Sequence, residues 1–141
     1  MTDGEARARQ RFAQAPVARL ATVSDEGLPH LVPVVFAVDG DVVYTAVDGK
    51  PKSGAPLRRL RNIADNPNVS LLVDHYDDDW NALWWVRVDG SAQIHPDGPV
   101  AEHAYGSLRA KYPQYETVPL DGPVIAVTVR QRRWWLGRSS P

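Results

Sequence analysis

Cysteine is absent from the 141 residues, which excludes disulfides, thiolate nucleophiles and cysteine-ligated metals or clusters. Such a chain fits a reducing compartment. An excess of one charge is missing too. The formal net charge is −1, which excludes a protein whose main work is neutralising a nucleic-acid backbone, because such domains are strongly basic. No apolar run is long enough to span a bilayer: residues 31–38, LVPVVFAV, are too few and contain Pro33. The opening MTDGEARARQRF lacks the apolar centre of a signal peptide. The expectation is a cytoplasmic protein that engages neither membrane nor nucleic acid.

Several catalytic signatures are missing as well. There is no glycine-rich phosphate loop and no dinucleotide fingerprint. No nucleophile elbow or Ser-His-Asp order is present, so hydrolysis has no visible machinery. The histidines at 30, 75, 95 and 103 show no metal-ligand spacing, and no metal is expected. The acidic run YDDDW (76–80) lacks the pattern of a calcium loop and reads as a polar strand connection. His75 alone is kept as a candidate pocket residue.

What is present reads as one domain over residues 1–141, of a size suited to a single core. GEARARQRFAQA predicts a short helix stopped near Pro16. VARLATVS, DEG and LPHLVPVVFAV read as strand, turn and strand. Asp39–Gly40 is a hairpin signal leading into DVVYTAV, where Val42, Tyr44 and Ala46 share one face and Val43, Thr45 and Val47 the other. A helix is expected from Pro56 to about Asp65, then a strand at VSLLVDHY. ALWWVRVDGSAQI reads as a long strand with a bulge at Gly90, and GPVAEHAYGSLRAKY as a helix. GPVIAVTV and RRWWLG read as two closing strands. Successive hairpins without regular crossover helices predict a mainly β, α+β fold: an antiparallel sheet curled into a barrel with two or three flanking helices.

The stretch DGKPKSGAPLRRLRNIADNP gathers Lys50, Lys52, Arg58, Arg59 and Arg61 into one turn and one short helix. Exposed backbone N–H groups beside a helix N-terminus, reinforced by ammonium groups, suit an anion. Ser53 adds a hydroxyl donor, and Arg58 and Arg61, one turn apart, share a face. A solvated basic face is the competing explanation. The preceding strand carries Tyr44 and Thr45, which could touch a flat ring. The pairs Trp84–Trp85 and Trp134–Trp135 each send one indole to either side of a strand. They serve core and dimer packing, or they wall a planar cofactor.

The order RLATVSDEGLPHLVPVVFAVDGDVVYTAVDGKPK…LRRLRNIADNPNVSLLV resembles the split-barrel flavin-binding proteins of the pyridoxamine 5′-phosphate oxidase class. More narrowly it is similar to the actinobacterial branch that uses the deazaflavin F420. The resemblance runs from about Val17 through Ile94. It implies an FMN-binding-type split barrel and a homodimer whose cofactors lie between protomers. Tyr44 and Thr45 would then line the ring or its side chain, with Lys50, Lys52 and Ser53 on the phosphate. Arg58 and Arg61 would serve as outer or tail contacts, and Trp84 and Trp85 as a wall. FMN oxidases of the class carry adjacent Arg-Lys in the turn, where this chain has Lys-Pro-Lys. The implied activity is hydride transfer between reduced F420 and a small electron-poor molecule, with solvent or Tyr44 as proton donor. The alternatives are an FMN-dependent oxidoreductase and a non-catalytic binder of F420 or haem.

Overall fold

Helix α1, Asp3–Gln14, begins the computed structural model, which describes residues 2–47 and 57–137. The Thr2 hydroxyl accepts the Glu5 N–H at 3.0 Å, satisfying one donor that a helix start leaves open. Ala8 and Phe12, four residues apart, make its buried stripe. Seven strands follow: β1 Ala18–Val23, β2 Pro29–Val34, β3 Ala37–Asp39, β4 Val42–Ala46, β5 Asn68–His75, β6 Trp84–His95 and β7 Val124–Leu136. Helix α2, Arg58–Asp65, precedes β5, and α3, Pro99–Lys111, precedes β7.

Every strand pairing is antiparallel, and the order across the sheet is β2-β1-β5-β6-β7-β4-β3. The two outermost strands are consecutive in the chain. Val34 ends β2 and Ala37 starts β3, and that connection spans at most about 11 Å at about 3.8 Å per Cα step. The edges of the sheet must therefore meet, so it curls into a barrel. Among the described residues no ladder joins β2 to β3, and the barrel is split along that line.

Leu20, Leu71, Val86, Val88, Ile125 and Val127 fill the interior. Phe12 of α1 closes over them and meets Phe36 with ring centres 5.0 Å apart. On β4 the pleat sends Val43 into this core. Tyr44 and Ala46 point the other way, against Ala101, Ala104, Tyr105 and Leu108 of α3. Among the described residues no helix is long and apolar enough to cross a membrane.

The structure corrects two strand expectations. LPHLVPVVFAV is two strands, on opposite edges of the sheet. At the break, side chains replace the ladder: the Phe36 N–H donates to the Tyr112 hydroxyl at 3.1 Å, and the Phe36 carbonyl accepts from Lys111 Nζ at 2.9 Å. Conversely, GPVIAVTV and RRWWLG belong to one strand, β7. The irregularity expected near Gly90 lies at the Asp89/Gly90 step, opposite Gln131 and Val129, so the extra residue is Arg130 on β7. The basic turn that opens the stretch DGKPKSGAPLRRLRNIADNP and the helix start expected at Pro56 lie outside the described residues; the described helix is Arg58–Asp65.

Candidate functional site

A groove of about 210 Å³ opens at the mouth of the split, between Pro33, Val34, Val35, Thr45, Ala46 and Arg59. A second hollow of about 390 Å³ shares Val17 and Val35 with it and is walled by Pro16, Tyr112, Tyr115 and Val118. One end of this seam is basic and the other is aromatic.

Helix α2 supplies the basic end. Ile63 packs against the core and Leu60 beside it, while the buried Asn62 amide donates to the Thr22 hydroxyl at 2.9 Å. These contacts fix the helix rotation, turning Arg59 to the groove and leaving Arg58 and Arg61 exposed. Among the described residues, Leu57 offers no side-chain cap and the first turn holds no acid. A helix start with no acid in its first turn and with arginines along it suits an anionic group. The donor set therefore fits the phosphate of a cofactor.

Lys111 and Tyr112 fasten the other end. Lys111 Nζ donates to the Ala15 carbonyl at 2.7 Å and to the Phe36 carbonyl at 2.9 Å, and lies 3.8 Å from the Phe36 ring centre. Partial burial lowers its pKa to about 8. The Tyr112 hydroxyl lies 2.9 Å from the Pro16 carbonyl and 3.0 Å from that of Phe36. Burial raises its pKa, against a smaller lowering by its hydrogen bond to the Phe36 backbone. One lysine and one tyrosine thus join α3, the end of α1 and the β2–β3 crossover.

The residues singled out from the sequence fall in different places. Lys50, Lys52 and Ser53 lie outside the described residues. Thr45 lines the groove, but its hydroxyl donates to the Val35 carbonyl at 2.8 Å. Tyr44 is buried against α3, with its ring edge-on to His103 at 5.6 Å. Burial first and Asp39 second raise its pKa, which keeps the hydroxyl protonated. The nearby His103 Nε2 and Asp39 carboxylate are 2.6 Å apart.

Trp84 and Trp85 stand at the opposite end of the barrel. Thr45 pairs with Ile125 and Ile125 with Ile94, whereas Trp84 starts the same strand β6. The ten steps from Trp84 to Ile94 run about 33 Å along the strand at about 3.3 Å each. The indoles separate as the pleat requires: Trp84 and Trp134 pack against the core. Trp85 and Trp135, cross-strand partners, line a groove of about 530 Å³ on the outer face with Leu72, Asp74, His75 and Arg87.

From the sequence Arg59 was read only as one of the clustered cations, and Lys111 and Tyr112 were not singled out. Arg59 had a signal, because it precedes Ile63 by one helical turn and so sits towards the buried side. Lys111 and Tyr112 had none. Their partners are 75 to 96 residues away.

Residues 5–136 match the family described as pyridoxamine 5′-phosphate oxidase. A 5a,11a-dehydrotetracycline/5a,11a-dehydrooxytetracycline reductase of Streptomyces rimosus is 36% identical over 81 residues, covering 57% of this chain and 56% of the reductase. The match thus spans just over half the length of that curated relative. Among solved structures, a heme-binding protein from Mycobacterium smegmatis superposes with a TM-score of 0.75 at 23% identity, covering 99% of this chain and 56% of that one. An FAD-binding protein from Mesorhizobium loti gives 0.70 at 22% identity, covering 95% and 94%. At such identities these two likenesses establish the fold.

Proposed function

Because the chain belongs to the pyridoxamine 5′-phosphate oxidase family, we propose that it is an oxidoreductase that binds F420 in the seam and reduces a small electron-poor organic molecule. The observation that carries this reading is the acid-free, cationic start of α2 beside the seam groove. The likeness to the tetracycline-type reductase supports the reaction class.

Reduced F420, when bound, supplies a hydride, and the protein supplies position and electrostatics. Arg59 and the first N–H groups of α2 hold the phosphate together with Lys50, Lys52 and Ser53. Exposed Arg58 and Arg61 meet the polyglutamate tail of the cofactor. Thr45 shapes the wall, since its proton is committed to the Val35 carbonyl. Tyr44 is shut beneath α3, which favours solvent over Tyr44 as the proton source.

Trp84 and Trp85 reach such a cofactor only from a second copy of the chain, given the length of β6 between them and the seam. Exposed Leu31, Leu72 and Trp135 on the outer face support a homodimer through that face, because large apolar side chains left in water favour association. A second reading keeps the fold and changes the guest. It makes the protein an FMN-dependent oxidoreductase or a non-catalytic carrier of F420 or haem, the last being what the Mycobacterium smegmatis structure binds.

Fluorescence titration with F420, with FMN and haemin in parallel, tests this assignment. Preferential F420 binding that weakens about tenfold or more in Lys52→Ala and in Arg59→Ala is expected, as each charge-assisted contact contributes about 1.5–3 kcal/mol. Preference for FMN or haemin moves the protein to the second reading. Binding of none of the three leaves the cations as a solvated face.

A further inference from the structure

A cavity of about 40 Å³ lies between α1, the β3–β4 hairpin, β6 and β7. It shares no lining residue with the seam or with the outer groove. Phe12, Val38, Val43, Val86, Val88 and Val129 wall it. Five short, stiff β-branched side chains around one ring leave a gap that none of them can turn to fill. Close-packed interiors hold few voids larger than a water molecule, so a hollow of this kind is a distinct feature of the barrel. Phe12, one of its walls, meets Phe36 at 5.0 Å between ring centres.

Two arginines close the mouth. Arg132 Nη2 donates to Asp41 Oδ1 at 3.2 Å, and Arg9 Nη1 reaches the same oxygen at 3.5 Å. Glu5 holds Arg9 from its other side, at 3.3 and 3.4 Å. Exposure rises outward along this bridge, from 15% at Arg132 through 32% at Arg9 to 68% at Asp41. The carboxylate thus stands in water, with the guanidiniums between it and the valines.

Such a lining discriminates by polarity. The volume exceeds the about 10–15 Å³ that one water needs, but an enclosed water also needs about two to four polar partners. A guanidinium only donates, so a water inside would turn its own protons to valine methyls. An apolar guest instead supplies the dispersion contacts that a void leaves unmet. Anything much larger would have to displace Phe12 or break the Asp41 bridge. We infer that this cavity is a binding site for monatomic and diatomic apolar gases, the class of xenon and dioxygen. The site stands whether or not a cofactor occupies the seam.

Methyl NMR of the whole chain under rising xenon pressure tests it, with helium at equal pressure as the control for compression. The Val43, Val86, Val88 and Val129 methyl resonances are expected to shift and to saturate. Val43→Ile and, separately, Val129→Ile each put one more methyl group into the cavity and should weaken xenon at least fivefold. Val129 is only partly buried, so its variant folds even where Val43→Ile overpacks the core. Dioxygen, a paramagnet, should broaden the same valine methyls more than those of Leu20 and Leu71 in the filled core. Shifts that never saturate, shifts confined to Val17, Val35 and Val118 of the seam hollow, equal broadening of the two sets, or xenon affinity unchanged in Val129→Ile would each overturn the site.

Discussion

The Asn62 amide and the Thr22 hydroxyl meet at 2.9 Å with both residues shut from water, at 3% and 1% exposure, and this bond ties the basic helix α2 to β1. Asn62→Ala leaves the Thr22 hydroxyl buried and unpaired, which costs about 1–3 kcal/mol. The double substitution Asn62→Ala/Thr22→Val should recover part of that loss, since removing both partners leaves nothing unsatisfied. Urea denaturation of the two variants and the parent checks this. A double variant no more stable than the single one would show that packing, not the polar pair, matters there.

Thr45 offers a second test of committed hydroxyls. Its donation to the Val35 carbonyl at 2.8 Å closes the β4 side of the split. Thr45→Val keeps the shape, removes the donor and should cost about 1 kcal/mol of stability. On the proposed seam site, the same variant should change F420 affinity by less than about threefold. A tenfold loss without further destabilisation would put the Thr45 hydroxyl on the ligand.

Two glycines should respond with opposite signs. A Cβ at Gly90 would stand 2.3 Å from the Thr128 carbonyl oxygen and 2.8 Å from Val127 Cγ1, so the backbone of β7 would have to move. Gly90→Ala should therefore destabilise by about 1–3 kcal/mol, as overpacking does. Gly106, inside α3, meets nothing within 4 Å. Gly106→Ala should stabilise by about 0.5–1 kcal/mol, because glycine is a poor residue for a helix interior. Thermal unfolding of both variants reads the two signs directly.

The strands, hairpins and helices were legible because each carries a local signal. The β4 alternation separates Val43 from Tyr44 and Ala46, and the Asp39–Gly40 turn joins β3 to β4. The break at Val35–Phe36 was not legible, since nothing local interrupts LPHLVPVVFAV there. The strand divides because Lys111 and Tyr112, far along the chain, take over the Phe36 backbone. Continuity of β7 was hidden by Arg130 and Gln131, which read as a polar gap but sit beside the sheet irregularity at Gly90. For the site, charge clustering pointed to α2, but only the buried Leu60, Asn62 and Ile63 side of the helix reveals which arginine turns to the groove. The separation of Trp84 and Trp85 from Thr45 depends on sheet order, which no short motif encodes.

Lys111 gives the pH dependence. Partial burial brings its amine from an ordinary 10.5 to about 8 in the folded chain. Between those two values the unfolded chain holds a proton that the folded chain has released. Stability must then rise with pH across that window and fall back as the pH drops towards 8, by the linkage of proton binding to folding. Below about 8 the amine is charged, and the Ala15 and Phe36 carbonyls bind it at the cost of its lost water. Lys111→Met removes the titration while keeping an apolar stem over Phe36. Unfolding free energies measured from pH 7.5 to 9.5 should climb more steeply in the parent than in Lys111→Met. The window stops at 9.5 to avoid the tyrosines at 44, 105 and 112, whose raised values act only above it. Parallel pH curves for the two proteins would mean that the lysine titrates as it does in water, and that its two carbonyl contacts do not shield it.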